Sequence, residues 1–444
     1  DKLMNRPTYI SLIALALLLG GAWSAPAQGP ISLDEYRERV LDYSYTLKMA
    51  RENRAAAEAG VRQSYTGFLP ALSVAGGFSV NFKDRYAVSN GASQLLHPYA
   101  FSLQPALVQN IYTGGAVRNS YEQAKISSEI ARYGEEQSQL SVAYLAEYNY
   151  WNLASNEALL AIATRYEGIV RNMYNVVRTR FDDGYVAKND LLMIETRLRE
   201  AEYSRVNADN LYRVSLQNFN ILMGAVPLTQ HTVADSVTMP VQLPMYAGVQ
   251  EALSRRPDYL SADRRVEYNR YGVKLASAKF NPQLSAGVQG LWRNNTPNLG
   301  GTDLDGLAFL RLSVPIFHWG ERRHAVTASQ AAVRSSEYEK LQLIDNITQE
   351  IMTAWTNIVE SASQIDIARA NLEVARENLS LNTFSYNEGL LTILDVISAQ
   401  LSWLQAYTNT ITANFNQKVA IAAYHKAIAD TGIQQEYGTT SAVP

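Results

Sequence analysis

The 444-residue sequence contains no cysteine. That absence excludes disulfide frameworks, thiolate zinc sites, cysteine nucleophiles and iron–sulfur clusters, and with them lipid attachment through a cysteine. Past the N-terminal segment no stretch holds 18 consecutive apolar residues, so no spanning helix is expected. A strand-built wall is not excluded by this, because membrane strands carry a far weaker hydropathy signal. Excess charge is missing too. Lys and Arg total 39 against 42 Asp and Glu, for a net charge of -3, so nothing draws the chain to nucleic acid. Only five histidines occur, and His318 and His324 lie six apart rather than the three or four that put ligands on one helical face. No metal site is expected. The sequence also lacks GxSxG, HExxH, Walker A and dinucleotide-binding patterns, so neither catalysis nor a cofactor has a candidate constellation.

What is present begins with a leader. Asp1 to Leu3 precede Met4 and read as an upstream remnant. Arg6, an apolar core from Tyr9 to Leu19 and Ala25-Pro26-Ala27 then follow the order of a secretory signal peptide, with cleavage expected after Ala27 and a mature chain from near Gln28.

The remainder repeats itself. FLPALSV, Phe68 to Val74, matches FNPQLSA, Phe280 to Ala286, at an offset of 212. IYTGGAVR, Ile111 to Arg118, matches IFHWGERR, Ile316 to Arg323, at an offset of 205. The second offset then persists without a gap, pairing Asn152 with Asn357, Gly184 with Gly389, Asp190 with Asp395 and Ala201 with Ala406. Long helices in register tolerate no insertions, so a gap-free match of this length reads as duplicated rods. The organisation expected is a first repeat over 28–224, a proline-bearing connector over 225–248 with Pro227, Pro240 and Pro244, a second repeat over 249–430 and a polar tail over 431–444.

Each repeat should open with a helix, Leu33 to Tyr65 and Val249 to Lys279, followed by two strands. The strands are expected near 69–83, 99–109, 282–293 and 306–316, joined in pairs by polar loops, Asp84 to Pro98 and Asn294 to Gly306. In the first, Leu72, Val74, Gly76, Phe78, Val80 and Phe82 alternate with Ser73, Ala75, Gly77, Ser79 and Asn81. Such alternation is common in half-buried sheets of soluble proteins. A small, polar second face with aromatics near strand ends, Tyr99 and Trp292, suits instead a barrel wall with lipid outside and water inside. Four strands cannot close a barrel, whose minimum is about eight, so on this reading several copies must complete it.

Beyond the strands, each repeat continues into a very long helix and a return helix, near 113–181 and 188–222, then 318–385 and 392–429. Thr113 to Phe181 contains no proline. At 1.5 Å per residue such a helix extends roughly 100 Å, too long for a compact domain. The return helices carry heptad-spaced stripes, Ile194, Leu198 and Ala201 in one and Val396, Ala399, Trp403 and Ala406 in the other, interrupted by Arg205 and Gln417. Between outgoing and return helices sit FDDGYVAKNDLL and YNEGLLTILDVI, each with a glycine that reads as a helix stop. Asp190 and Asp395, just ahead of apolar runs, suit helix capping.

Strand starts LPALSV and NPQLSA, the strand-to-helix signatures ALVQNIYTGGAVR and LSVPIFHWGERR, and two glycine turns, in this order twice, resemble the TolC family of outer membrane efflux proteins over nearly all of Gln28 to Asp430. The resemblance implies an α+β membrane protein: a homotrimer whose four strands per chain complete a twelve-stranded barrel in outer membrane lipid, opening into a periplasmic tunnel of coiled-coil helical hairpins. It implies a passive exit duct in a tripartite efflux or type I secretion system, docked through its helical tips to a periplasmic adaptor and an inner membrane pump. Carried over by position, Gly184, Tyr185, Gly389 and Leu390 fall at the adaptor-docking tips, and Asp190, Tyr386 and Asp395 at the periplasmic gate. Leu391 and Ser398 depart from the best-known member, which has an arginine and an aspartate there, so an ionic lock of that composition is not expected. A second class stays open on the residues alone: a periplasmic coiled-coil structural or adaptor protein without a pore.

Overall fold

The computed structural model describes residues 29–83, 86–89, 91–95, 99–293 and 303–430; the expected signal peptide and tail and parts of the two strand-joining loops lie outside them. Elements run in the order α1 (Leu33–Tyr43), α2 (Tyr45–Tyr65), β1 (Ala71–Val80), β2 (Tyr86–Ser89), β3 (Ala92–Leu95), β4 (Tyr99–Thr113), α3 (Ala116–Asp182) and α4 (Lys188–Leu222). The second repeat supplies α5 (Val249–Arg255), α6 (Pro257–Ala278), β5 (Gln283–Arg293), β6 (Asp303–Ser313), α7 (Glu321–Asn387) and α8 (Ile393–Ala427). Helices α3 and α7 are each 67 residues long, and α4 and α8 each 35. All four of their boundaries shift by the same 205 positions, so the duplication is kept to the residue in the backbone.

Three differences from the sequence reading have local causes. The helix expected over Leu33 to Tyr65 breaks at Ser44, which turns to φ -50°, ψ 116°. The helix expected from Val249 breaks at Arg256, held at φ -69°, ψ 118° because the ring of Pro257 excludes a helical conformation in the residue before it. Pro257 itself then starts α6, where its missing N–H costs nothing. Within the loop expected from Asp84 to Pro98, the four-residue strands β2 and β3 pair antiparallel, Tyr86 opposite Leu95. Those strands are too short for alternation to register above background.

The other four strands form one antiparallel sheet in the order β1-β4-β5-β6, so β4 of the first repeat bonds β5 of the second. Cross-strand partners share a face. Val74 opposite Pro105, Leu107 opposite Val288, and Ala286 opposite Leu310 therefore gather the four apolar sets on a single side. Ser73 opposite Ala106 and Ser285 opposite Arg311 mark the other side. The apolar side is uncovered, with Leu72 73% and Leu310 68% exposed. A contiguous surface of this kind calls for lipid or protein against it.

The helices gather into two compact units that do not follow the repeats. One comprises residues 1–44, 143–244 and 357–422, the other 45–142, 245–356 and 423–444. In the first, α1 is tied to the long helices by stacked rings, Tyr36 on Phe219 at 3.9 Å, and by the Tyr150 hydroxyl, which donates to the Ile31 carbonyl at 3.0 Å and to Asp235 at 2.7 Å. Burial pushes the Tyr36 and Tyr150 hydroxyls well above the usual tyrosine range. These hydroxyls therefore stay protonated, as donors to the Phe219 and Ile31 carbonyl oxygens and the Asp235 carboxylate that hold α1 and the connector.

In the second unit Arg256 is buried where α5 ends. It donates through Nε and Nη2 to Asp258 at 3.0 and 2.6 Å, and through Nη1 to Glu350 at 2.7 Å and the Ala427 carbonyl at 2.8 Å. One side chain thus satisfies α6, α7 and the end of α8. Arg256→Met is expected to lower stability by about 3 kcal/mol, because it leaves two carboxylates and a carbonyl without this donor. Arg256→Lys should recover only part of that, an ammonium being unable to make the planar fork. Thermal unfolding of the detergent-solubilised protein followed by far-ultraviolet circular dichroism measures both; equal melting temperatures for all three proteins would remove Arg256 from this role.

Candidate functional site: the two helical turns

Five residues separate α3 from α4, and five separate α7 from α8. The long helices end in the same way. Gly184 N–H bonds Phe181 O at 2.9 Å and Tyr185 N–H bonds Arg180 O at 2.8 Å; Gly389 N–H bonds Tyr386 O at 3.0 Å and Leu390 N–H bonds Ser385 O at 2.9 Å. This paired pattern closes a helix over a left-handed residue. Both glycines adopt that conformation, at φ 82° and 73°. A Cβ on either would meet nothing within 4 Å, so the glycines answer to backbone conformation and not to crowding. Following them, Tyr185 and Leu390 are 81% and 74% exposed at matching positions.

Entry into the return helices differs between the turns. Thr392 N–H and the Thr392 hydroxyl donate to the Asp395 carboxylate at 3.0 and 2.6 Å, a side-chain cap across the first turn of α8 in which both bonds run from Thr392 to Asp395. These bonds hold the Asp395 carboxyl below the usual aspartate range. At the matching place α4 has Ala187, which offers no hydroxyl, and Asp190 stands in the first turn with its backbone N–H on the Ala187 carbonyl at 3.1 Å. Identical spacing in the sequence thus yields a side-chain cap in one turn only.

Arg180, in the last turn of α3, joins the two turns and stands outside the residues singled out from the sequence. Its Nη1 donates to Tyr386 O at 3.1 Å, which also accepts from Gly389 N–H, and its Nη2 to Asn387 O at 2.8 Å, both carbonyls of the last turn of α7. The guanidinium also lies 4.8 Å from the centre of the Tyr386 ring. A cation at a helix C-terminus is favourable on its own account. Tyr386 is buried beneath it; burial raises the hydroxyl pKa, the Arg180 charge opposes that, and the Asp190 carboxylate adds to the rise. Arg180 thus binds Tyr386, on which the Asp190 charge also bears, while Asp395 caps its own helix. The repeat comparison held the one signal for Arg180: its counterpart at the 205 offset is Ser385, a charge in one copy only.

The heptad stripes also differ. On α8 the stripe from Val396 through Trp403, Ala406 and Ala413 to Tyr424 is buried, Gln417 included. On α4 it is buried at Ile194, Leu198 and Ala201, then half-exposed at Ala208 and Tyr212. Arg205 on that open stretch bonds Glu167 at 2.6 Å. Within one chain the α8 stripe is buried along its length, while the α4 stripe is half-exposed at Ala208 and Tyr212 before burial returns at Ser215 and Phe219.

The family model described as outer membrane efflux protein matches residues 37–225 and 248–429. Nodulation protein T of Rhizobium leguminosarum bv. trifolii is 21% identical over 400 residues, 86% of this chain and 81% of its own length. Outer membrane protein TolC of Escherichia coli K12 is 23% identical over 448 residues, 96% of this chain and 86% of its own. Among solved structures, the Campylobacter jejuni CmeC outer membrane channel superposes with a TM-score of 0.79 at 18% identity, covering 90% of this chain and 86% of that one. The fold is that of these channels, a TolC-like α/β fold with two repeats.

The unequal caps have a measurable consequence. Asp395→Ala should speed amide hydrogen exchange in the first turn of α8 by roughly threefold to tenfold, the effect of losing a cap, whereas Asp190→Ala should leave the first turn of α4 within about twofold. Because the Asp395 pKa is depressed by folding, its contribution is complete above the unfolded value and is lost as pH falls through the folded one. Equal exchange changes in the two variants would show that the caps do not differ.

Proposed function

The chain belongs to the outer membrane efflux protein family, and from that membership we propose that it is the exit duct of a tripartite efflux or type I secretion system. It resides in the outer membrane with its helical tunnel in the periplasm. The observation that carries the reading is the open sheet of β1, β4, β5 and β6, apolar on one side and small or polar on the other. Among the described residues its outer strands β1 and β6 have unpaired outer edges, which a hydrocarbon surround cannot leave exposed. Three copies supply twelve strands, enough to close a barrel with lipid outside and water within. The half-exposed stretch of α4 is then covered by a neighbouring copy, as two-sided tunnel helices require. A periplasmic coiled-coil protein without a pore would have no use for such a sheet.

The duct is passive: it has no catalytic role, and energy enters through an inner membrane pump coupled by a periplasmic adaptor. We assign adaptor docking to the turns at Gly184, Tyr185, Gly389 and Leu390, where two apolar side chains stand in solvent at matching positions. The gate is assigned to Asp190, Tyr386 and Asp395, with Arg180 added. Arg180 binds the end of α7 from within the same chain, and so takes the place that Leu391 leaves without charge. Carboxylates repeated around a threefold mouth favour cations over anions.

Replacing Gly389 by Lys together with Leu390 by Glu should abolish export of whatever cargo the adaptor and pump deliver while trimers assemble normally; undiminished export in that variant would sink the docking assignment. For the gate, Arg180→Ala should raise resting conductance in planar bilayers severalfold. Replacing Asp190 and Asp395 by Ala should weaken cation preference, seen as a shift in reversal potential under a salt gradient. Conductance and reversal potential both matching the unmodified channel would leave these residues with helix-end roles alone.

A further inference from the structure

We propose that Phe317 and Trp319 of one copy clamp onto Tyr65, Phe68 and Tyr121 of the next, at the foot of the barrel where β6 meets the neighbouring β1. The proposal rests on the trimeric duct and adds the residues that join its copies. Its basis is a comparison inside one chain. The junction of β4 with β5 joins the second strand of one repeat to the first strand of the other, and a β6 to β1 junction between copies joins the same two kinds of strand.

At the internal junction the backbones touch. Gly114, at φ 66°, accepts a hydrogen bond from Asn281 Nδ2 at 2.9 Å, and a Cβ on it would lie 2.3 Å from the Ala278 carbonyl oxygen and 2.7 Å from the Asn281 Cβ. No residue but glycine fits there. The 205 offset puts Trp319 in the place of Gly114, and the 212 offset puts Thr66 and Leu69 in the places of Ala278 and Asn281. Trp319 keeps the left-handed backbone, at φ 48°, which costs free energy in any residue with a Cβ. Leu69 cannot donate the hydrogen bond that Asn281 makes. The junction between copies must therefore open where the internal one closes, with an indole standing in the gap.

Partners for that indole are at hand on the opposite edge. Trp319 and Phe317 are 89% and 67% exposed, their rings 4.9 Å apart. Tyr65 and Phe68, which flank Thr66, are 52% and 40% exposed and form with Tyr121 a cluster whose three ring centres lie 5.8 Å apart. Two uncovered aromatic groups thus sit at the two sides of one expected junction. Rings that meet edge to face replace the lost amide bond with apolar burial. A retained left-handed tryptophan has its compensation in that burial.

Because the chain has no cysteine, paired cysteines report on this without background. Trp319→Cys with Phe68→Cys, and separately Trp319→Cys with Tyr65→Cys, are treated with a short bismaleimide in outer membrane vesicles. The internal pairing of Leu103 with Trp292 maps by the same offsets onto Ala308 and Val80, so Ala308→Cys with Val80→Cys reports the strand junction by itself. We expect covalent dimers and trimers as the major species from all three pairs and from none of the single variants. Cross-linking at Ala308 and Val80 alone, with a polarity-sensitive label on Trp319→Cys reporting lipid, would overturn the clamp and make Trp319 a membrane-interface anchor. No cross-link from any pair, with the barrel still resistant to detergent unless heated, would overturn the clamp along with the trimer it rests on.

Discussion

An unclosed sheet edge governs this molecule. Strands β1 and β6 each present a row of backbone N–H and C=O groups on one side, and the sheet between them turns Leu72, Val74, Leu107 and Leu310 to an outside that nothing among the described residues covers. In water such an edge invites aggregation; in hydrocarbon each unpaired group costs several kcal/mol. Both problems have a single remedy, closure by further copies. In the proposed duct, oligomerisation and a water-filled interior answer that constraint, and the helices have then to continue a wall that the strands began.

Continuing the wall requires strands to become helices without losing their order around it. In the first repeat the change is made through Gly114 against the Ala278 backbone, and in the second through Trp319, which is exposed among the described residues. Duplication supplied equal lengths, 67 and 35 residues twice over, and left the junctions to diverge. At the far end of the helices the divergence recurs. Both turns use one backbone solution, yet only the second has the Thr392 and Asp395 cap, and only the first contributes an arginine, Arg180, to the other turn. A duplicated chain thus acquires distinct parts by altering contacts while keeping spacing.

Between the ends, side chains of unusual burial hold short elements to long ones. Tyr36 and Tyr150 keep α1 and the connector on the first unit through hydroxyls that stay protonated, and Arg256 binds three helices in the second. Neither group stood out in the sequence, since a tyrosine among 27 and an arginine before a proline are unremarked until the carbonyls they reach are known.

The sequence by itself determined the duplication, the two-faced strands, the long helices and the position of both turns. Each of these is periodic or conformational: alternation at two, stripes at three and a half, a glycine where the backbone must turn left-handed. The breaks at Ser44 and Arg256 and the hairpin of β2 with β3 were less legible, being set within one or two residues or over strands of four. Only the tertiary structure decided that Asp190 and Asp395 differ, that Arg180 rather than a residue after Gly389 holds Tyr386, and that β4 bonds β5 across the repeats. Those outcomes depend on which groups meet over separations such as the 206 residues between Arg180 and Tyr386. Local periodicity carries no information at that range, because a hydrogen bond between distant segments is fixed by how the helices pack and not by either segment alone.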